Sequence, residues 1–367
     1  MKLICEGLDL SDAVLKVSKA TAIKTTNPIL EGIKLKAEND KLILSATDLE
    51  LSIEKVINAD VKIEGECVVP GRFFTDFTKK LSNEKIELSL TDKDLLKVKY
   101  TDSEGFIQCL NNNEFPIIKN IDNPESFKIT HKNFKDLINK TIFSVALDDS
   151  RPILKGCLFE IHNNFVTAVA LDGYRLAKVS KEILNSTAEF SFVIPARSLA
   201  EISKMLNDSD NTLTVNIQKN FLLVEFMDTK IMTRLIDGDF INYNQVIPQN
   251  ISTTIKVNKN QLMNGIERAS LLSRFDKNNL VKFDIKENLL VLTSNSELGN
   301  IKENITVAID GKDIVIAFNA RYLIESLRVI DEDFVKINFT SSIAPCTIVP
   351  ENNKDTLYLI LPVRVVG

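Results

Sequence analysis

Three stretches of this chain repeat one another at domain spacing. Lys2-Leu3-Ile4, Lys128-Ile129-Thr130 and Lys256-Val257-Asn258 each open a segment with a helical apolar beat. The first carries Leu8, Val14 and Val17, the second Phe134, Ile138 and Phe143, and the third Leu262, Ile266 and Leu271. Pro28-Ile29-Leu30-Glu31-Gly32 recurs as Pro152-Ile153-Leu154-Lys155-Gly156. Ala46-Thr47-Asp48-Leu49-Glu50-Leu51 recurs as Ala170-Leu171-Asp172-Gly173-Tyr174-Arg175. Pro70-Gly71-Arg72 returns as Pro195-Ala196-Arg197 and, loosely, as Asn319-Ala320-Arg321. The offsets run from 124 to 128 residues. Solenoid units are roughly 20–50 residues, and ordinary domains roughly 100–150. The chain therefore reads as three tandem copies of one domain, 1–125, 126–252 and 253–367. Arraying the copies, rather than a lone catalytic centre, is what such a chain is built to do.

Each copy reads in the same order. A short strand (Lys2 to Cys5, Phe127 to Ile129, Thr254 to Val257) leads into a helix with apolar period near 3.6. Alternating strands follow, such as Ile33 to Ala37 and Lys41 to Ser45 around Glu38-Asn39-Asp40. A further strand runs from Leu51 to Ile57. A buried strand (Cys67 to Pro70, Phe192 to Pro195, Ile314 to Phe318) then enters a second helix (Arg72 to Leu81, Arg197 to Leu206, Arg321 to Leu327). In the first copy a hairpin pairs Ile86–Leu90 with Leu96–Tyr100. Closing strands are expected at Phe106 to Leu110, Ile231 to Leu235 and Leu357 to Leu361. Antiparallel hairpins with two helices per copy make an α+β domain. The copies meet at Ile121-Asp122-Asn123-Pro124 and Pro248-Gln249-Asn250-Ile251, polar joints too short for flexible linkers.

The 367 residues are 44% hydrophobic, enough for several cores. No apolar run reaches the ~18–20 residues of a membrane span, and no leader is evident. The five cysteines are dispersed without C-x-x-C spacing, which reads as reduced core thiols in a cytoplasm. No metal site, cofactor site or catalytic residue is expected. The chain lacks a G-x-x-x-x-G-K-[ST] loop, a G-x-S-x-G elbow, H-E-x-x-H and any cysteine cluster. Its two histidines, His131 and His162, have no nucleophile nearby in sequence.

The net charge of −5 hides an asymmetry. Six helical segments (8–24, 71–81, 132–146, 196–206, 259–274 and 320–328) hold 16 basic and 7 acidic side chains, so strands and loops carry the acid. Every segment has a basic excess. A solvated lysine face explains any one of them. A shared basic surface for a polyanion explains all six. With no tryptophan and the aromatics spread through apolar strands, the expected contact is with phosphates rather than bases.

The chain closely resembles the bacterial DNA polymerase III beta subunit family, the replicative sliding clamps. The matching runs are Thr26-Asn27-Pro28-Ile29-Leu30, Ala46 to Glu50, Ala170 to Ala177, Val193 to Arg197, Leu235 to Phe240, Phe318 to Leu323 and Leu361-Pro362-Val363-Arg364. They span the chain in family order. The resemblance implies a head-to-tail homodimer closing a ring of six domains, with twelve helices inside and the sheets outside. Such a ring encircles double-stranded DNA without sequence specificity. It tethers the DNA polymerase III catalytic subunit and receives the clamp loader complex, other polymerases and repair proteins through short peptide motifs.

By family position Lys24 touches DNA. Arg72, Lys79, Lys80 and Arg197 are further candidates, Arg72, Arg197 and Arg321 being repeat-equivalent at helix starts. A local carboxylate partner is the alternative role for these arginines. The partner-peptide pocket carries over to Leu154, Gly173, Tyr174, Arg175 and Leu176 on one side. Val246, Asn319, Tyr322, Ile343, Pro345, Leu359, Ile360, Leu361, Pro362, Val363 and Arg364 supply the rest, with Leu176, Val246 and Leu361 as the deep wall. Tyr174 stands where the family often has histidine, and Ile241 where it often has proline. The dimer interface is expected at Phe106 and Gln108, pairing with the third copy's corresponding region, and at Leu271 and Leu272. Repeat equivalence assigns Asp48 and Asp172 a turn or capping role rather than acid chemistry. The rival reading is a monomeric three-domain interaction scaffold without DNA binding.

Overall fold

A computed structural model of the chain describes residues 1–116, 124–184, 189–273 and 279–364. Part of the first expected joint (121–123), Arg274 and the last three residues lie outside the described residues.

Three repeats of one element order are present. The first runs β1 (Lys2–Glu6), α1 (Gly7–Val17), β2 (Gly32–Glu38), β3 (Lys41–Thr47), β4 (Leu51–Asn58), β5 (Asp60–Ile63), β6 (Gly65–Pro70), α2 (Gly71–Thr78), β7 (Lys85–Leu90), β8 (Leu95–Tyr100) and β9 (Ser103–Gln108). The second runs β10 (Glu125–Thr130), α3 (His131–Asn139), β11 (Gly156–His162), β12 (Phe165–Leu171), β13 (Arg175–Glu182), β14 (Phe190–Pro195), α4 (Ala196–Met205), β15 (Thr212–Gln218), β16 (Phe221–Phe226) and β17 (Thr229–Arg234). The third runs β18 (Thr253–Asn258), α5 (Lys259–Ser273), β19 (Leu280–Lys286), β20 (Leu289–Ser296), β21 (Gly299–Thr306), β22 (Ala308–Gly311), β23 (Ile314–Asn319), α6 (Ala320–Arg328), β24 (Phe334–Phe339), β25 (Cys346–Pro350) and β26 (Thr356–Ile360). The hairpin expected only in the first copy thus exists in all three. The short strands β5 and β22 were not legible beforehand.

Every copy makes two half-sheets. One is the order β1-β7-β8-β9, repeated as β10-β15-β16-β17 and β18-β24-β25-β26. The other is β6-β2-β3-β4, repeated as β14-β11-β12-β13 and β23-β19-β20-β21. Closing strands join successive copies. β17 pairs antiparallel with β4, from Thr229↔Lys55 to Thr233↔Leu51, completing an eight-stranded sheet. β26 pairs with β13, from Arg175↔Ile360 to Val179↔Thr356, completing a nine-stranded one. The first copy's β1 half-sheet and the third copy's β19 half-sheet remain separate, with β9 and β21 each paired on one side only.

The chain forms two compact units. One holds residues 1–131, 184 and 204–235, which is the whole first copy with β10 and β15–β17 of the second; the other holds residues 132–183, 189–203 and 236–364, which is the rest of the second copy and the third. In the first unit α1 buries Leu10, Ala13, Val14 and Val17, one face of a helix, against β3, β4 and α2. In the second, α5 buries Leu262, Ile266 and Ala269 against β19–β21 and α6. No helix among the described residues is long and apolar enough to cross a membrane.

The helices are shorter than the sequence reading made them, and this corrects the charge count. The six hold ten basic side chains against the same seven acidic ones. α1, with Asp9 and Asp12 against Lys16, has an acidic excess, and α2 is balanced by Arg72 and Asp76. After Val17 the chain tightens into a 3-10 turn and turns extended at Thr21, ahead of Pro28, which disfavours helix before it. Lys19, Lys24, Lys79, Lys80 and Lys140 therefore follow helix C-termini. There the partial negative charge of the helix end favours cations.

Candidate functional site

The second unit assembles most of the expected pocket from the turn between β12 and β13. Asp172 Oδ1 accepts hydrogen bonds from the backbone N–H of Tyr174 (2.9 Å) and Arg175 (3.1 Å). Gly173 takes φ +90°, a conformation costly for residues with a Cβ. This fixes the direction in which positions 174–176 leave. Leu176 is 2% exposed and packs with Leu154 and Leu359 in one apolar cluster, facing Leu359 across the β13–β26 ladder. Ile360, opposite Arg175, is also buried. These residues form a floor.

The rim is apolar and aromatic. Tyr174 is 61% exposed, its ring stacked on Tyr322 with centroids 6.1 Å apart. Leu361 is exposed, and its N–H donates to Tyr174 O at 2.8 Å. The tail then returns to its own copy, where Val363 N–H donates to Ala317 O at 2.8 Å. Val246 follows a 3-10 turn whose Tyr243 belongs to the floor cluster. Val246 and Leu361 are thus rim residues; of the expected deep wall only Leu176 is deep. A surface-bound segment gains from such partly exposed side chains because it finishes burying them. Pro345 sits beside β25 and Ile343, 73% exposed, two residues before it. Asn319 caps α6, its Oδ1 accepting from Arg321 N–H at 3.0 Å. Pro362 and Val363 are half-buried and Arg364 is exposed.

Arg175 behaves differently from the expectation. It is 5% exposed. Its Nε donates to Asp172 Oδ2 at 3.1 Å, one terminal nitrogen donates to Glu325 and the other to Phe143 O. Its guanidinium lies 4.7 Å from the Tyr322 ring centroid. A guanidinium so enclosed offers no charge to a peptide. It ties the second copy's turn to the third copy's α6, which carries Tyr322. Glu325 also accepts from Arg321 Nε at 2.7 Å. Burial would raise the Glu325 carboxyl; the hydrogen bonds from Arg321 and Arg175 outweigh it and hold the group below its ordinary 4.5. Glu325 and Phe143 are functional neighbours that sequence reasoning missed. No spacing signal links positions 150 residues apart.

In the first unit the loop after α1 carries Lys24, exposed, beside Ile23, which is 90% exposed. Ile23, Arg72 and Lys79 line one cleft of about 520 Å³ with Ser18, Thr21 and Thr75. Gly71, which starts α2, is needed there, because a Cβ on it would stand 2.6 Å from Glu31 O. Arg72 and Lys80 are exposed, and Lys79 meets Asp76 at 3.6 Å. Arg197 is exposed at the second position of α4, in the second unit. Arg321, by contrast, serves the carboxylate of Glu325.

At the open edges, Phe106 and Gln108 are exposed on β9. The third copy's corresponding strand, β26, already pairs on both sides with β13 and β25, so it has no edge left for β9. Among the third copy's described strands, β21 has an open edge. Leu271 is exposed and Leu272 half-buried at the end of α5, so neither is a core residue of its own domain.

Models of the DNA polymerase III beta subunit match the chain three times: its N-terminal domain at residues 1–119, its central domain at 128–242 and its C-terminal domain at 244–364. The beta sliding clamp of Halalkalibacterium halodurans is 32% identical over 362 residues, 95% of each chain. That of Staphylococcus epidermidis is 30% identical over 356 residues, 94% of each. Among solved structures, the DNA polymerase sliding clamp of Bacillus subtilis superposes with a TM-score of 0.97 at 30% identity, over all of both chains. A putative DNA polymerase III beta subunit from Eubacterium rectale gives 0.95 at 32%, again over all of both.

Proposed function

Because this chain belongs to the DNA polymerase III beta subunit family, we propose that it is a replicative sliding clamp. It encircles duplex DNA without reading sequence and tethers a polymerase. It is a processivity subunit with no catalysis of its own, working in the cytoplasm. The copies are taken as 1–125, 126–252 and 253–367.

One observation carries the ring. Within the chain, the closing strand of each half-sheet joins the β4-type strand of the preceding copy: β17 to β4, β26 to β13. By the same rule β9 seeks the strand equivalent to β4 and β13 in a third copy, which is β21. Both stand at open edges. Two chains satisfying that rule reciprocally make a head-to-tail dimer without unpaired half-sheets, and closure removes exposed strand edges. Phe106, Gln108, Leu271 and Leu272 are the proposed interface residues.

Lys24, Arg72, Lys79, Lys80 and Arg197 are the proposed DNA contacts. Topology holds the duplex, so these contacts need only neutralise phosphates, and unloaded binding is weak and steeply salt-dependent. The floor and rim around Leu176 take a short apolar peptide motif. The polymerase III catalytic subunit, the clamp loader complex, and other polymerases and repair proteins present such motifs. Ordering a flexible peptide offsets much of the apolar gain, so a single motif binds at about micromolar strength, roughly −8 kcal/mol.

Sedimentation combined with retention on DNA tests the reading. A ring runs as a dimer and, once loaded, stays on closed circular DNA but slides off linear DNA. A monomer, or equal loss from both DNA forms, overturns it in favour of a scaffold.

A further inference from the structure

Two of the five cysteines flank a single strand bridge in the first unit, on the same face. β6 lies at the rim of the eight-stranded sheet, and Leu110 N–H donates to Val68 O at 2.8 Å, pairing the chain just beyond β9 with it. Side chains alternate along an extended strand, so Cys67 and Cys109 fall on one face at diagonal positions. Each thiol is the largest influence on the other's ionisation. Cys67 is buried and Cys109 half-exposed. The second copy makes the same bridge, Val193↔Ile236, but its flanking positions are Phe192 and Leu235. Apolar residues therefore suit that environment, and the first copy has thiols at both positions instead.

We propose that Cys67 and Cys109 are a peroxide-reactive pair that closes to an intramolecular disulfide. The oxidant is a hydroperoxide. The Cys109 thiolate attacks one peroxide oxygen, the O–O bond breaks, and the departing oxygen leaves as water after taking a proton. Cys109 is then a sulfenic acid. The Cys67 sulfur attacks the Cys109 sulfur, the S–S bond forms, the S–O bond breaks, and hydroxide leaves as water with the Cys67 proton. Two thiols lose two electrons and one hydrogen peroxide becomes two waters.

The division of roles follows from the surroundings. Cys109 reaches solvent, and the influence of Cys67 holds its thiol below the ordinary 9.0. The influence of Cys109 and burial push Cys67 up, so it waits as the resolving thiol. Cys5, Cys157 and Cys346 are buried, and burial pushes each thiol up to about 12, which leaves them inert. The disulfide would pin the residue that follows β9, whose outer edge is open, to the rim strand of the neighbouring sheet.

Hydrogen peroxide applied to the full chain tests this. The expected result is a fall from five alkylatable thiols to three, one Cys67–Cys109 linkage in the peptide map, and restoration of five by dithiothreitol. Dimedone present during oxidation should find little sulfenic acid in the unmodified chain, because Cys67 resolves it. In Cys67→Ala, Cys109 should accumulate the dimedone adduct instead, and Cys109→Ser should leave all four remaining thiols unreacted. If the Cys67 variant does not fold, the unmodified chain alone decides. A persistent dimedone adduct on Cys109, overoxidation of Cys109 with Cys67 still free, or a linkage between other cysteines overturns the proposal.

Discussion

Two turns in this molecule share a backbone and differ in everything attached to it. In the first copy Asp48 Oδ1 accepts from Glu50 N–H (3.1 Å) and Leu51 N–H (2.8 Å). In the second, Asp172 Oδ1 accepts from Tyr174 and Arg175 in the same way. Position two is left-handed in both, Leu49 at φ +76° and Gly173 at φ +90°. Both turns then receive a backbone hydrogen bond at the end of a closing strand: Arg234 N–H to Glu50 O, and Leu361 N–H to Tyr174 O. The device that splices one copy's sheet to the next is therefore common property. What makes the second turn a candidate binding site is the replacement of Glu50 and Leu51 by Tyr174 and Arg175. Leu51 is a core residue; Arg175 is buried too, but as a cation with two carboxylate partners.

The largest effect should come from making the second turn like the first at its buried position. Arg175→Leu leaves Asp172 and Glu325 without their shared cation. Removing one member of a buried ion pair costs about 3–5 kcal/mol, and the partial exposure of both carboxylates places this case near 3. Adding Glu325→Leu should return more than half of the loss. Urea unfolding of the two variants measures both numbers. If Arg175→Leu is neutral, the two turns are energetically alike and the ion network is ornamental.

Next is the exposed position. Tyr174→Glu copies the first turn's side chain onto the second. The ring is mostly solvent-exposed, so stability should change by no more than about 0.5 kcal/mol. Losing the stack on Tyr322 should weaken a bound peptide about tenfold, roughly 1.4 kcal/mol. Titration calorimetry reads this, and unchanged affinity would remove the aromatic rim from the site. The reciprocal Glu50→Tyr should create no binding, because the first turn lacks the arginine and the opposing tyrosine.

A smaller effect is pH-dependent. Glu325 titrates below its ordinary 4.5 in the folded chain. A depressed carboxyl contributes stability above its unfolded pKa and loses it as pH falls through the folded value. The stability gap between the native chain and Glu325→Gln should be constant near neutrality and close below about pH 4.3. A gap that widens on acidification contradicts the assignment.

How much of this was legible beforehand follows the same division. The repeats, the hairpins and the capping aspartates show in the sequence because they rest on local pattern: alternation, a turn residue, a spacing. Helix ends were overrun because lysines just past a helix look like lysines on it. Lys19 and Lys24 differ only in lying after the chain tightens at Ser18. The expected partner of β9, the third copy's corresponding region, names no strand, because only the fold shows that β26 is paired on both sides inside the chain and that β21 is open. Arg175 enters the expected pocket by family position, which carries no information on its burial. Its burial depends on Phe143 and Glu325, which only the folded chain supplies.

The smallest prediction tests whether the shared backbone is truly the same object. A left-handed residue with a Cβ costs about 1–2 kcal/mol, and glycine's extra freedom in the unfolded chain costs about 0.4–1 kcal/mol when it replaces another residue. At Leu49, which is largely exposed, the two nearly cancel. Leu49→Gly should therefore be neutral to about 1 kcal/mol stabilising. At Gly173 an added Cβ meets nothing within 4 Å, so only the backbone decides, and Gly173→Leu should lose about 1 kcal/mol or less. Thermal unfolding of the two variants should give shifts of opposite sign and similar size. A large loss in Gly173→Leu would mean that the second turn tolerates less than the first. The strain would then belong to the binding site rather than to the splice that the first two copies share.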